Sequence, residues 1–410
     1  MADGLASRNG GKAGLAILVA VLLLGLGLRL DYAWKGRAPV YDAAAYAKIA
    51  ANLDAGEGFT LGPGATQPAD NYSPGLPLAV AALYKASGGV HERLARIFLA
   101  LVGSLAILFA YLIGRRLAGP PAGLVGAAIV AVYPALLEYQ GMLMSEPLAA
   151  TLLSGAVLSM LWASDRGSAL RPRARGASWA WLAPGACLGA LALVRPEYLG
   201  VAALLALVVF ARRARLDWRA SLAQAAILIA GVILVIAPWT VRNAVALDRF
   251  VPVSTGGGQV LFAGTYLPSD GDPEAVGAEV VARHPEIFSP ADARRLRLEQ
   301  ILARLAAQRY PGVESDRALA RMGRQQLWDD LTEEPLEYAG FLAAKIGRVW
   351  LHGPRAVMRE PLWSAFHLLL VGLALLGLGL LAGQRRWEAL LIGSVLLAIT
   401  AISTLLVASP

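Results

Sequence analysis

Asp31-Tyr32-Ala33-Trp34, Tyr41-Asp42-Ala43-Ala44-Ala45-Tyr46 and Asn71-Tyr72-Ser73-Pro74-Gly75-Leu76-Pro77 mark out one stretch, residues 31–93, between apolar runs at 13–30 and 97–114. A plain link between two helices takes roughly 2–8 residues. This one is far longer, and it carries carboxylates, aromatics, glycines and prolines. Long ordered loops beside a scaffold are where function concentrates. The stretch reads as the catalytic loop of a membrane enzyme.

Outward from it the chain is apolar. It is 57% hydrophobic and 16% charged, with a mean hydropathy of +0.55, whereas soluble domains carry about 25% charged residues. Apolar runs of about 18 residues or more are candidate membrane helices. Nine segments present themselves: 13–30, 97–114, 117–137, 147–164, 176–194, 198–211, 220–241, 361–384 and 389–410. Arg29 interrupts the first, and the sixth is short, drawing on Arg195 and Glu197 at the membrane surface. Leu30-Asp31-Tyr32 offers no small-x-small cleavage site, so the first segment is expected to stay as a helix. The expected fold class is an all-α polytopic membrane protein of about nine transmembrane helices.

Orientation follows lysine and arginine in short loops. An inside N-terminus puts Arg8, Lys12, Arg115, Arg116, the arginines between 166 and 175, those between 212 and 219, Arg385 and Arg386 in the cytoplasm. The net charge of +8 then reflects topology and inner-leaflet contact. Nucleic acid is excluded as a partner, because no basic stripe carries interleaved aromatics. Cys187 is the single cysteine, which rules out an intrachain disulfide, and His91, His284, His352 and His367 stand apart without ligand spacing. No metal site is expected from these residues.

The outer face then carries residues 31–93, a turn near 138–146, the Arg195-Pro196-Glu197 corner and residues 239–360. Within the first loop, Tyr46, Ile49, Ala50 and Leu53 recur at helical spacing, predicting an amphipathic interfacial helix over 42–53 that Gly56 and Gly58 stop. Asp42 falls in its first turn, where it is either a partner of the helix dipole or a catalytic carboxylate. Glu146 precedes the fourth span and admits the same two readings. Arg195 and Glu197 form either a turn pair reaching for the surface or a functional charge set within the membrane. Pro238-Trp239 ends the seventh span, with Arg242 just beyond. Ser254-Thr255-Gly256-Gly257-Gly258-Gln259 lacks the Gly-Lys-Ser/Thr of a phosphate loop and reads as a flexible link. Helices are expected from Ser289-Pro290, over 315–331, and over 334–351 as an interfacial stripe. The resulting division is 1–265, 266–360 as a small external helical subdomain, and 361–410.

Taken in order, Tyr41-Asp42…Tyr46…Asn52-Leu53…Gly58-Phe59, Tyr72-Ser73-Pro74-Gly75-Leu76-Pro77, Ser145-Glu146-Pro147, Val194-Arg195-Pro196-Glu197 and Trp239…Arg242-Asn243 resemble the GT-C glycosyltransferases. The branch they resemble is the bacterial glycosyltransferase family 39, related to protein mannosyltransferases and aminoarabinose transferases. The resemblance covers residues 1 to 265 and, beyond that, the architecture. It implies inverting transfer of a sugar from a polyprenyl-phosphate donor to a lipid, polysaccharide or protein acceptor. It also implies a bacterial inner membrane, with the site facing the periplasm. Asp42 takes the family's first-loop aspartate position and Glu146 its second acidic position. Two departures stand out. Ala43 replaces the second member of an acidic pair, and Ser73-Pro74-Gly75 stands where aminoarabinose enzymes carry a lysine and two prolines.

The expected roles follow. Asp42 is the general base and Glu146 the orienting or acceptor-binding carboxylate. Arg195, Arg242, Arg93 and Arg96 are donor-phosphate ligands, while Tyr41, Tyr46 and Tyr72 line the cavity. No cofactor is required by this chemistry, although the two carboxylates leave room for a divalent cation. The rival readings are a transporter or flippase of lipid-linked sugars and a non-catalytic partner in envelope assembly.

Overall fold

The computed structural model describes residues 2–36, 38–62, 64, 68–168, 179–212, 214–269, 272–352 and 355–405. The arginines between 171 and 175, residues 176–178 of the fifth apolar segment and 406–410 of the ninth lie outside the described residues. The described chain is helical throughout and divides into two compact units, Met1–Val253 and Ser254–Pro410.

In the first unit, α1 (Ala2–Lys35) leads into α2 (Tyr41–Asp54) and α3 (Gly75–Ser87) of the long loop. Gly56 and Gly58, at φ +81° and +79°, end α2 as the sequence indicates. The loop packs into a core that it shares with Leu99 and Leu143. Leu76, Val80, Tyr84, Leu99 and Leu143 are all but fully buried, each worth about 1.5–3 kcal/mol relative to exposure. The loop is therefore a packed element, held rigid enough to position a side chain.

Next come α4 (Glu92–Ala118), α5 (Pro120–Val132), α6 (Pro134–Glu138) and α7 (Glu146–Ser168). The third apolar segment is broken, since α5 and the residues from Pro134 to Gly141 meet at 52°. Pro134 has no N–H to give the Val130 carbonyl, so the helical ladder fails there. Arg29 repairs it from α1, donating to Val130 O at 2.8 Å and Ala131 O at 3.1 Å. The one charge inside the first apolar run is thus a backbone clamp on a broken helix.

Then α8 (Leu182–Val194) and α9 (Tyr198–Ala211) pack on α10 (Trp218–Leu247). They contain 13 and 14 residues, or about 20 Å each at ~1.5 Å per residue. That falls short of the ~30 Å hydrocarbon core. The Arg212 guanidinium stacks 5.3 Å over the Trp181 ring, which brings the two outer ends together and makes α8–α9 a hairpin with Arg195-Pro196-Glu197 at its tip. Its seam is tight, for a Cβ on Gly185 would strike the Leu228 carbonyl of α10. Among the described residues, six helices are long and apolar enough to cross a membrane, or seven if the bent pair counts as one span. The expected nine therefore contract. The fifth and sixth segments are short arms of one hairpin, and apolarity alone does not distinguish such arms from full spans. Nor does Pro238 end its helix, because α10 runs through it to Leu247.

The second unit contains α11 (Gly257–Thr265), α12 (Pro273–Arg283), α13 (Asp292–Arg295), α14 (Leu298–Arg309), α15 (Ser315–Glu333), α16 (Pro335–Gly347), α17 (Pro361–Gly383) and α18 (Trp387–Leu405). Its core gathers Phe262, Val276, Val280, Ile301, Leu302, Leu305 and Leu319. The glycine-rich stretch is the start of α11 rather than a flexible link. Asp316 Oδ1 accepts from the Gly258 and Gln259 N–H groups at 2.8 and 3.3 Å, and a Cβ on Gly258 would meet the Asp316 carbonyl. Because α11 packs on α15, the boundary between units falls at residue 253 rather than 265. The helix expected from Ser289 is split at Leu296 into α13 and α14, and the one expected over 334–351 ends its regular turns at Gly347.

Candidate active site

Four elements of the first unit contribute to one charged cluster. Its centre is Arg195, at the hairpin tip, where the C-terminus of α8 gives way to an extended residue before Pro196. The guanidinium Nε donates to Glu197 Oε1 at 2.8 Å and Nη1 to Glu146 Oε1 at 3.3 Å. All three side chains are partly buried. Glu146 opens α7, so the positive end of that helix dipole adds to the hold of Arg195. Its second oxygen, Oε2, is buried and lacks a hydrogen-bond partner among the described residues. A buried carboxylate oxygen without a donor is uncommon in a resting fold and marks a place where a ligand donor fits.

Asp42 reaches the same cluster from the first turn of α2. Its surface is open to solvent, yet protein rings it. That partial desolvation is the larger influence and raises its pKa above the usual carboxylate value, while Arg195 pulls it back down. Tyr46, one turn further along α2, has its phenol raised first by burial and then by Asp42, with Glu146 and Glu197 adding and Arg195 opposing. One tyrosine thus senses all four charged groups. Tyr72 meets the Tyr46 ring edge-on, centroids 6.0 Å apart at 81°. Gly75 sets the hairpin tip from behind, since a Cβ there would lie 2.7 Å from Val194 Cγ2 and 2.8 Å from Val194 N. The Ser73-Pro74-Gly75 turn is thereby a packing seat for the end of α8.

A second cationic patch adjoins through aromatic contacts. Arg242 lies 4.8 Å over the Trp239 ring and 5.6 Å over Phe59, and donates to Asn243 Oδ1 at 3.1 Å. Phe59 and Tyr72 belong to one apolar cluster with Trp239. Asp70, the nearest acid acting on Arg242, is bridged by Arg249 at 3.1 Å. Two guanidiniums against one carboxylate leave this patch with a net positive charge.

The remaining candidates stand apart. Arg96 is buried, donates to Ala33 O at 3.1 Å and lies 3.8 Å from Glu92. It ties α1 to α4, and the expectation that it meets a donor phosphate gives way to that structural task. Arg93 is exposed and stacks 4.5 Å over the exposed Trp34, an arrangement suited to a membrane interface. Tyr41 is 92% exposed at φ +50° and therefore lines no cavity. Among the described residues no three His, Cys, Asp or Glu groups are close enough to hold a metal ion; Glu146 and Glu197 both face Arg195 instead.

The model of the dolichyl-phosphate-mannose-protein mannosyltransferase family matches residues 72–241, which contain Glu146 and Arg195 and stop one residue short of Arg242. Archaeal oligosaccharyltransferase AglB from Archaeoglobus fulgidus, solved with an inhibitory peptide and a dolichol-phosphate, aligns with a TM-score of 0.56 at 17% identity, over 97% of this chain and 49% of its own. Residues 72–241 are thus similar to that mannosyltransferase family, and the fold is similar to that of the archaeal oligosaccharyltransferase. ArnT from Cupriavidus metallidurans, bound to undecaprenyl phosphate, aligns with a TM-score of 0.41 at 18% identity, over 96% of this chain and 76% of its own. The chain spans about half the length of the oligosaccharyltransferase it resembles. Comparison with curated proteins found no match.

The sequence names Asp42, Glu146, Arg195 and Arg242 as candidates through their motifs, and it offers no role for Tyr198, Asp70 or Arg249. Tyr198 follows Glu197 directly and sits in the field of Arg195, Glu197 and Glu146. Its place one residue after the charged corner was the available signal. Asp70 and Arg249 are 179 residues apart, and no local pattern announces such a pair.

Proposed function

We propose that the chain is an inverting glycosyltransferase that moves a sugar from a polyprenyl-phosphate donor to a lipid, polysaccharide or protein acceptor. The site would face the periplasm from a bacterial inner membrane. The observation that carries this reading is the convergence of Asp42, Arg195 and Glu146, with one Glu146 oxygen buried and without a donor. The family match, and the dolichol-phosphate named with the archaeal structural neighbour, support a lipid-phosphate donor.

In the proposed step the acceptor hydroxyl oxygen attacks the anomeric carbon from the face opposite the phosphate. The bond from that carbon to the phosphate oxygen breaks, and the leaving phosphate keeps the electron pair. Asp42 takes the hydroxyl proton, and a carboxylate with a raised pKa is better matched to that task than an ordinary one. The unpartnered Glu146 oxygen accepts from a second acceptor hydroxyl and orients it. Arg195, already facing two carboxylates, serves chiefly to hold Glu146 and to tune Asp42. Arg242, whose patch keeps a net positive charge beside Trp239, is the better phosphate ligand. No divalent cation is required in this scheme.

The test is transfer of radiolabel from a panel of polyprenyl-phosphate sugars in membranes holding the protein. Label appearing in an acceptor, with inverted anomeric configuration, is expected. Retention of configuration, or movement of the intact lipid-linked sugar across the bilayer without transfer, would contradict the reading.

A further inference from the structure

The second unit contains a cavity of about 520 Å³ that the proposed transfer chemistry does not use. Its size is within the roughly 300–1,000 Å³ of small-molecule sites. Tyr266 and Phe262, both buried, stack on each other in the lining, centroids 5.3 Å apart and 28° between planes, and Tyr310 is the partly exposed ring at the wall. Gln325, Gln326, Asp329 and Asp330 line it from α15. Gln326 Nε2 donates to Thr265 Oγ1 at 3.2 Å, which fixes the orientation of its amide. Asp330 Oδ2 is buried and has no hydrogen-bond partner among the described residues. Partial burial, with Glu334, Asp329, Glu337 and Glu333 nearby, pushes the Asp330 carboxyl up to about 6.

Rings that stack on a C–H face, and planar polar groups that fork to neighbouring hydroxyls, are what a pyranose needs. An oxygen acceptor left unfilled at the wall suits a hydroxyl donor. Arg309 and His284 line the cavity along with Asp329 and Asp330, so the wall offers both signs of charge, and that polar wall opposes a purely apolar ligand. We propose that this cavity is a carbohydrate-binding site for one sugar unit. Its further assignment to the acceptor glycan rests on the glycosyltransferase reading, whereas the binding itself does not.

Ligand-observed saturation-transfer NMR on the full chain in nanodiscs tests it, with glucose, galactose, mannose, N-acetylglucosamine and glucuronic acid as probes. At least one of these five sugars is expected to bind in about the millimolar range. Gln326→Ala and Asp330→Asn should each weaken binding roughly tenfold with an unchanged melting temperature. Asp42→Asn should leave binding intact, so loss of transfer and loss of this site are separable results. Binding by none of the five sugars, or insensitivity to both cavity substitutions, would overturn the proposal.

Discussion

Asp42 shows how one environment changes what a carboxylate is for. At the first turn of α2 it could serve the helix dipole alone, but the surrounding protein raises its pKa while Arg195 lowers it. The sign of a pH prediction follows. The basic form exists above the pKa, so the acid limb of kcat/KM should lie above the ordinary aspartate range. Arg195→Met removes a lowering influence and should move that limb to still higher pH; an unmoved limb would separate Asp42 from the reaction. At the second patch, Arg242→Ala should raise the donor KM about tenfold, the loss of a charge-assisted hydrogen bond worth roughly 1.5–3 kcal/mol, with Arg242→Lys recovering part of it. Kinetics at varied donor concentration would show this, and a fall in kcat alone would contradict it. Treatment with EDTA is expected to leave transfer in place, and loss that is restored by added Mg²⁺ or Mn²⁺ would show that a cation is needed.

Elements were legible from sequence wherever a local rule decided them. The periodicity of α2, its glycine stop and the apolar runs each needed only neighbouring residues. The broken third span and the α8–α9 hairpin did not yield, because their causes are distant. Arg29 supplies the hydrogen bonds for a break more than a hundred positions away, and the hairpin is defined by Trp181 meeting Arg212. Two predictions belong here. Arg29→Leu leaves two helix carbonyls without donors, at about 1–3 kcal/mol each, and should lower the melting temperature in detergent. Pro134→Ala, which restores an N–H to the ladder, should recover part of that loss, and no recovery would mean Arg29 acts otherwise. Gly75→Ala pushes on Val194 and should shift the hairpin tip, costing activity well beyond its effect on melting. A variant equally impaired in both would show that Gly75 only stabilises the loop.

For the whole molecule, composition alone identified a polytopic helical membrane protein, and the charge of +8 gained meaning only when assigned to loops. The count of spans was less legible, because apolarity records which residues avoid water and not how far each helix reaches. Replacing two spans by a hairpin leaves the parity of crossings unchanged, so the expected sidedness survives the correction. In a Cys187→Ala background, Ala55→Cys should react with an impermeant maleimide from outside, and Ala118→Cys only after permeabilisation. The reverse pattern would invert the topology. The candidate site was half legible, since the residues were visible in their motifs but their division of labour was not. Arg195 looked like a phosphate ligand until its two glutamate partners were seen.

The central claim is that Asp42 accepts the proton of the acceptor hydroxyl. The most direct measurement is sugar transfer from polyprenyl-phosphate donors by wild type and Asp42→Asn at equal abundance and equal melting temperature. The account predicts a fall of about 10²- to 10⁴-fold in Asp42→Asn with donor binding retained. Transfer by Asp42→Asn at the wild-type rate would contradict it and leave Asp42 as a helix-terminal charge.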